Sequence, residues 1–321
     1  MRSLEDIKII NNYDISNFYL GTNTISQTMN QDLLRINSIK SKNYFINKYG
    51  HLRPNTYSIT SLNYKEGYNI YFSNKSYPNY IKRKKVFRLN NSKIKKINNI
   101  FKKEKLGIKA KDFFKLAKFA IEQREYAKFC FTKCIDEIFQ NLIELGRKIN
   151  ISRQEMEFIN FKTILSSYSN LSTEKLKHLL KNEILKNKKS YSIVKKIKLP
   201  DVINDVTNIY SFDQTDSKGN FVTTQTIDGQ VKYLKNTNQI KNFENKIILI
   251  DNADPGFDFI FTKKIKGLIT KYGGSNSHMS IRCLEQNVPA AIGIGHKKFD
   301  RLLKSNFVQL NCQKKDIFYL S

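Results

Sequence analysis

The stretch whose reading decides the fold runs LITKYGGSNSHMSIRCLEQNVPAAIGIG, residues 268–295. The apolar run IKGLIT (265–270) reads as a strand, YGGSNS as a loop, HMSIRCLEQN as a helix and VPAAIGI as a further strand. This order puts His278 at a helix N-terminus. Gly273 and Gly274 allow a tight turn and a close approach to a ligand. The first free amides of the following helix, with its dipole, favour an anion. Ser275, Asn276 or Ser277 can cap that helix or donate to phosphate oxygens. Arg282 lies four residues beyond His278, on the same face, where its fork can hold phosphate oxygens. A histidine in this position is suited to be a nucleophile whose phosphorylated form the helix end stabilises. Spacing alone equally admits a structural histidine in a loop that only turns the chain.

Working outward, KIILI (246–250) reads as a buried strand, followed by the turn DNADPG and a helical FDFIFTKKI. Beyond the KLPD at 198–201, strands are expected over NIYSF, NFVTTQTI and QVKYL. Upstream the pattern is helical. Residues 112–150 carry apolar positions three and four apart, and Ser152 with Glu155 makes a capping box. A further helix fits STEKLKHLLKNEILKN from Ser172. The expectation is an α+β chain, mostly helical over 1–195 and strand-rich over 196–321. No fixed-period repeat stands out, and residues 1–40 carry the least information.

Composition limits the possible partners. The 56 Lys and Arg against 28 Asp and Glu give +28, which raises the question of nucleic acid. The basic residues, however, run from Lys8 to Lys315 and travel with Asn and Ile, as an AT-rich genome would produce. The densest cluster, residues 81–105, has spaced apolar positions that fit a packed face under a solvated one. With no recognition motif, nucleic acid is not the expected partner. No stretch reaches the roughly 18 apolar residues of a membrane span, and no secretory signal opens the chain. Four cysteines in 321 residues make no disulfide framework, so a cytoplasmic, reducing compartment is expected. Cys130 and Cys134 share a helix face without a nearby His or Cys, so no metal site is expected and helical core is the better reading, as for Cys283.

The motif GGSNSHMSIRCLEQNVPAAIGIG resembles the phosphohistidine motif of the swivelling domain in phosphoenolpyruvate-utilising enzymes. These include pyruvate phosphate dikinase, phosphoenolpyruvate synthase and rifampin phosphotransferase. The resemblance rests on the glycine pair, Ser277-His278, Ile281, Glu285, Pro289-Ala290 and the final glycines. It implies that His278 takes a phosphoryl group and carries it to an acceptor, and that residues from about 200 form a compact β/β/α domain. The family's arginine six residues after the histidine is Leu284 here, and an arginine stands at 282 instead. With Met279, this looks like the sub-branch that includes the glutamine kinase of capsular phosphoramidate synthesis, which phosphorylates the side-chain amide of glutamine.

FINKYGHLRPNTYSITSLNY (45–64) resembles the stretch that follows the nucleotide-binding domain in these enzymes, with Ser58 where an acidic residue is usual. REYAKF (124–129) resembles the family's Arg-Glu-x-x-Lys helix. His51, Arg53 and Tyr57 are thus candidates for gripping the acceptor, or a turn that satisfies backbone carbonyls. Arg124, Glu125 and Lys128 can line the same cleft or form an ion-paired helix face. His178 and His296 read as a surface residue and a solvated turn.

No glycine-rich phosphate loop precedes residue 45. The resemblance therefore implies a separate ATP-grasp domain or subunit that binds ATP with Mg2+, while this chain holds no tight cofactor. The expected enzyme is an ATP-dependent, dikinase-type phosphotransferase, with L-glutamine as the small-molecule acceptor and a linker near 187–205 about which the carrier domain swings; the alternatives are a stand-alone phosphohistidine carrier, a related kinase with a different acceptor, and a non-catalytic interaction protein.

Overall fold

The computed structural model describes residues 2–72, 87–167, 172–197, 199, 203, 205–210, 217–234, 242–275 and 277–320. The helices are α1 (Arg2–Asp6), α2 (Asn12–Leu20), α3 (Ile25–Leu34), α4 (Ile39–Tyr49), α5 (Tyr68–Phe72), α6 (Asn91–Lys103) and α7 (Ala110–Lys148). They continue as α8 (Arg153–Met156), α9 (Phe161–Ser166), α10 (Thr173–Val194), α11 (Thr207–Tyr210), α12 (His278–Gln286) and α13 (His296–Leu302). The strands are β1 (Asn220–Val222), β2 (Thr226–Tyr233), β3 (Ile247–Asn252), β4 (Gly267–Tyr272), β5 (Ala290–Ile292), β6 (Phe307–Asn311) and β7 (Asp316–Tyr319). The chain is α+β.

Helix starts follow local chemistry. Asn11 and Asp14 close a reciprocal capping box on α2, and Ser152 and Glu155 close one on α8. The longest helix, α7, has 39 residues and so spans about 58 Å. It buries Phe114, Glu125 and Ile143. Cys130 and Cys134 lie about half a turn round from Glu125, on its outer side, and are exposed rather than core. In α6, Ile97 and Phe101 are buried beneath a solvated lysine face, while residues 81–86 of that basic cluster lie outside the described residues.

The seven-stranded sheet has the order β1-β5-β4-β3-β2-β6-β7. Its centre is parallel (β2, β3, β4, β5) and its edges are antiparallel. The central strands read IILI and GLIT because both faces are covered. On one face Ile247, Leu249, Ile269, Val308 and Leu310 pack with Phe299 and Leu302 of α13. On the other, Ile248, Ile250, Leu268 and Ile292 pack with Phe257, Phe259 and Phe261 and with Met279 and Cys283 of α12. This second core continues without a break into Met29, Leu33, Phe45, Tyr49 and Tyr71 of the N-terminal helices and Tyr64 of the turn between α4 and α5.

Three expectations are corrected. NIY folds as α11 rather than a strand, and residues 211–212 lie outside the described residues. NFVTTQTI divides into β1 and the start of β2, because Thr223 sits at φ 72 and breaks the extended run. The FDFIFTK part of FDFIFTKKI lies in a 3-10 segment, Pro255–Lys263, opened by Asp254 and ended by Lys264 in the left-handed region.

Candidate functional site

Helix α12 begins where the sequence placed it. Ser277 is its N-cap, its Oγ accepting from the Ser280 amide at 3.3 Å. The turn before it needs Gly273, whose φ of 137 suits glycine alone and whose added Cβ would press on Ala253 and Ile292. Gly274 faces open space, Ser275 lies in the turn, and Asn276 lies outside the described residues.

His278 is buried, and both of its ring nitrogens meet carboxylates. Nδ1 lies 2.9 Å from Glu125 Oε2 of α7, and Nε2 lies 2.8 Å from Asp258 Oδ1 of the 3-10 segment. Ser26 Oγ of α3 stands 3.0 Å from Nε2. Only the imidazolium can donate from both nitrogens at once. Burial pulls the imidazole down, but the charge and hydrogen bond of Asp258, with those of Glu125, outweigh it and hold His278 up at about 9. Burial pushes Glu125 up, yet its bond to His278, the His278 charge and Arg124 bring it down to about 2. Asp258 is likewise pushed up by burial and held below its ordinary value by the charges of His278 and Arg282. In this arrangement His278 has no lone pair to offer. It becomes a nucleophile only after one of its two N–H bonds is lost.

One helical turn on, Arg282 is 2% exposed and lies over the Phe261 ring. Its Nη1 donates to Glu285 Oε2 at 2.7 Å, its Nε stands 3.4 Å from Asp258 Oδ1, and its Nη2 has no hydrogen-bond partner among the described residues. Glu285 reaches the N-terminal helices, accepting from Thr24 Oγ1 at 3.2 Å and from Gln27 Nε2 at 2.9 Å. Burial pushes its carboxyl up.

A second seam lies at the start of the 3-10 segment. Asp254 accepts from the Thr56 amide at 3.1 Å and the Thr56 hydroxyl at 2.9 Å. Tyr64 donates to the Gly256 carbonyl at 2.9 Å. Gly256 sits so close to the Arg53 carbonyl that an added Cβ would overlap it.

The remaining expected acceptor residues divide between these seams. Arg53 is 3% exposed, with its guanidinium on Asp136, on the Ser58 and Ser61 carbonyls and over the Phe139 ring. His51 lies 3.2 Å from the Phe129 carbonyl, and burial lowers its pKa. Tyr57 is 72% exposed beside Phe131. These three therefore lean on the second half of α7, beyond Glu125. Arg124 pairs with Glu125, Lys128 is exposed, and Glu125 itself stands at His278 rather than beside His51. Asp258, Ser26, Thr24 and Gln27 carried no motif. Asp258 was hidden in an apolar helical run, and Ser26 lies in the uninformative first 40 residues.

Comparison with known proteins bears on the C-terminal part of the chain. Residues 242–315 match the family of the PEP-utilising enzyme, mobile domain. The C-terminal part is of the PEP-utilising type. The chain is also similar to two rifampicin phosphotransferases. One, from Bacillus cereus, is 26% identical over 183 residues, covering 54% of this chain and 21% of the relative. The other, from Bacillus subtilis, is 24% identical over 185 residues, covering 53% of this chain and 20% of the relative. The chain thus spans about a fifth of the length of these curated relatives. Among the described residues no helix is long and apolar enough to cross a membrane.

Proposed function

We propose that this chain is the carrier and acceptor-side portion of a phosphohistidine-type phosphotransferase, with His278 as the residue phosphorylated. The observation that carries the reading is the position of His278. It opens α12 behind a glycine turn inside the mobile-domain match, with the Nη2 of Arg282, unpaired among the described residues, one turn away. The helix end and the guanidinium favour an anion there. The phosphoryl group comes from ATP held with Mg2+ on an ATP-grasp domain or subunit, and the proposed carrier domain spans residues 196–321. Its acceptor is a small molecule, the side-chain amide of L-glutamine, as in the sub-branch that Met279 and Arg282 resemble. The exposed members of the expected set, Tyr57, Arg124 and Lys128, are the proposed contacts with the acceptor, since Arg53 is already spent on Asp136. A cytoplasmic location is part of the same proposal.

The test uses phosphoramidate, a small donor that needs no nucleotide-binding domain. The wild-type chain should gain an acid-labile, base-stable phosphoryl group, and His278→Ala should gain none. Label retained by His278→Ala would remove the assignment. Phosphorylated chain is then mixed with L-glutamine or with rifampicin, and 31P NMR reports which one discharges it. Discharge by rifampicin but not by glutamine would move the acceptor to the one named for the relatives.

A further inference from the structure

We infer that the cleft between β1, β7 and α13 is a binding site for a small polyanion of the phosphate class. It is independent of the carrier reading, because the cleft lies on the other face of the sheet from His278. β1 and β7 stand at the two ends of the strand order, yet Phe221 of one and Ile317 of the other line a single cavity of about 170 Å3. The sheet therefore curls until its edges face each other, and α13 closes the gap. Phe221, Ile294 and Ile317 belong to the core that packs on Phe299 and Leu302 of α13, whereas Met279 and Cys283 of α12 belong to the core on the opposite face.

Cations converge on this cavity from two segments far apart in sequence. Lys297, Lys298 and Arg301 come from α13, with Lys297 and Arg301 four residues apart on one face. Lys218 comes from the stretch before β1, and its neighbours fix its place. Ser217 Oγ donates to the Gly293 carbonyl at 2.8 Å, and Gly219, at φ 62, lies against Ile294. Facing these four cations the lining offers one carboxylate, Asp316. Asp316 Oδ1 accepts from the Ile317 amide at 2.8 Å, and the acid of α13, Asp300, stands 3.7 Å from Lys271 instead. Among the described residues Lys218, Lys298 and Arg301 form no ion pair. Like charges gathered in a concavity with low-dielectric walls raise the local potential and draw in anions.

Size and lining select the ligand. The cavity is smaller than the roughly 300 Å3 at which sites for drug-sized molecules begin, so it takes a compact ion rather than a nucleotide. Arg301 offers a fork for two phosphate oxygens, and the lysines act as point charges on others. Four cations less one carboxylate leave an excess that suits a multiply charged ion such as pyrophosphate better than a single carboxylate. Ile294 and Ile317, both buried, form an apolar floor beneath the charges.

The test is isothermal titration calorimetry of the full chain at fixed ionic strength. Pyrophosphate should fill one site, and inorganic phosphate should bind about tenfold more weakly. Lys298→Glu with Arg301→Glu should weaken pyrophosphate about tenfold or more, and Lys218→Glu alone about threefold or more. Lys102→Glu with Lys103→Glu on α6 changes the net charge as much as the α13 pair and should stay within about twofold of wild type. His278→Gln should bind as wild type does. Absence of saturable binding at millimolar pyrophosphate, or an equal loss in the α6 pair, would overturn the inference. A loss in His278→Gln would also overturn it, by moving the site to the start of α12. If the α13 pair fails to fold by circular dichroism, Lys218→Glu decides alone.

Discussion

The imidazolium between two carboxylates makes a sharp prediction about pH. His278 is raised from 6.5 to about 9 on folding, which at about 1.36 kcal/mol per pH unit corresponds to about 3 kcal/mol. The residue is 7% exposed, so little of this is lost to solvent screening. The sign follows from a folded pKa above the unfolded one. The contribution is fully present below pH 6.5 and is lost as pH rises through about 9. The low pKa of Glu125 describes the same contact and adds nothing to this figure. Its own loss occurs at the acid end, below 4.5 and down to about 2. Burial also pushes Glu285 up and Lys263 down, so the reading rests on the difference between wild type and His278→Gln, which share both groups. His51 is lowered by burial and acts below 6.5, while the buried thiols Cys283 and Cys312 are raised and act above 9. With no Trp in the chain, the assay is urea unfolding followed by far-UV circular dichroism. At an m-value of about 3 kcal/mol per molar, the midpoint should fall by about 1 M between pH 6.5 and 9. In His278→Gln that fall should largely disappear. A His278 resonance titrating at or below 6.5 by NMR, or a pH slope unchanged in His278→Gln, would refute the two-carboxylate reading.

Gly256→Ala drives a methyl group into the Arg53 backbone, and should cost about 2 kcal/mol or more by thermal unfolding; a change below about 0.5 kcal/mol would deny that close approach. Arg53→Ala leaves Asp136 without its buried cation, and should destabilise by about 3 kcal/mol. Arg53→Lys should restore only part of this, since one ammonium cannot serve Asp136 and both the Ser58 and Ser61 carbonyls.

The comparison of sequence with structure turns on range. Local chemistry was readable wherever a residue answers to its near neighbours. Ser277 caps α12, Gly273 takes a backbone angle that suits glycine, Ser152 pairs with Glu155, and the apolar runs at 247–250 and 267–270 become central strands. The strand–loop–helix order around His278 follows from the same short-range rules, and so does the α+β class. Errors at this level came where one residue overrode a pattern, as Thr223 did by cutting an expected strand in two.

Charge pairing across the seam could not be read in this way. Glu125 lies 153 residues from His278 and Ser26 lies 252 away, and no spacing rule links positions so distant. Asp258 is only 20 residues from His278, but in sequence it is one acid in an apolar run. The sequence by itself determined that a histidine would open a helix behind a glycine turn. Tertiary structure alone decided that this histidine would be held as an imidazolium, because that depends on which carboxylates the shared core brings to its two nitrogens.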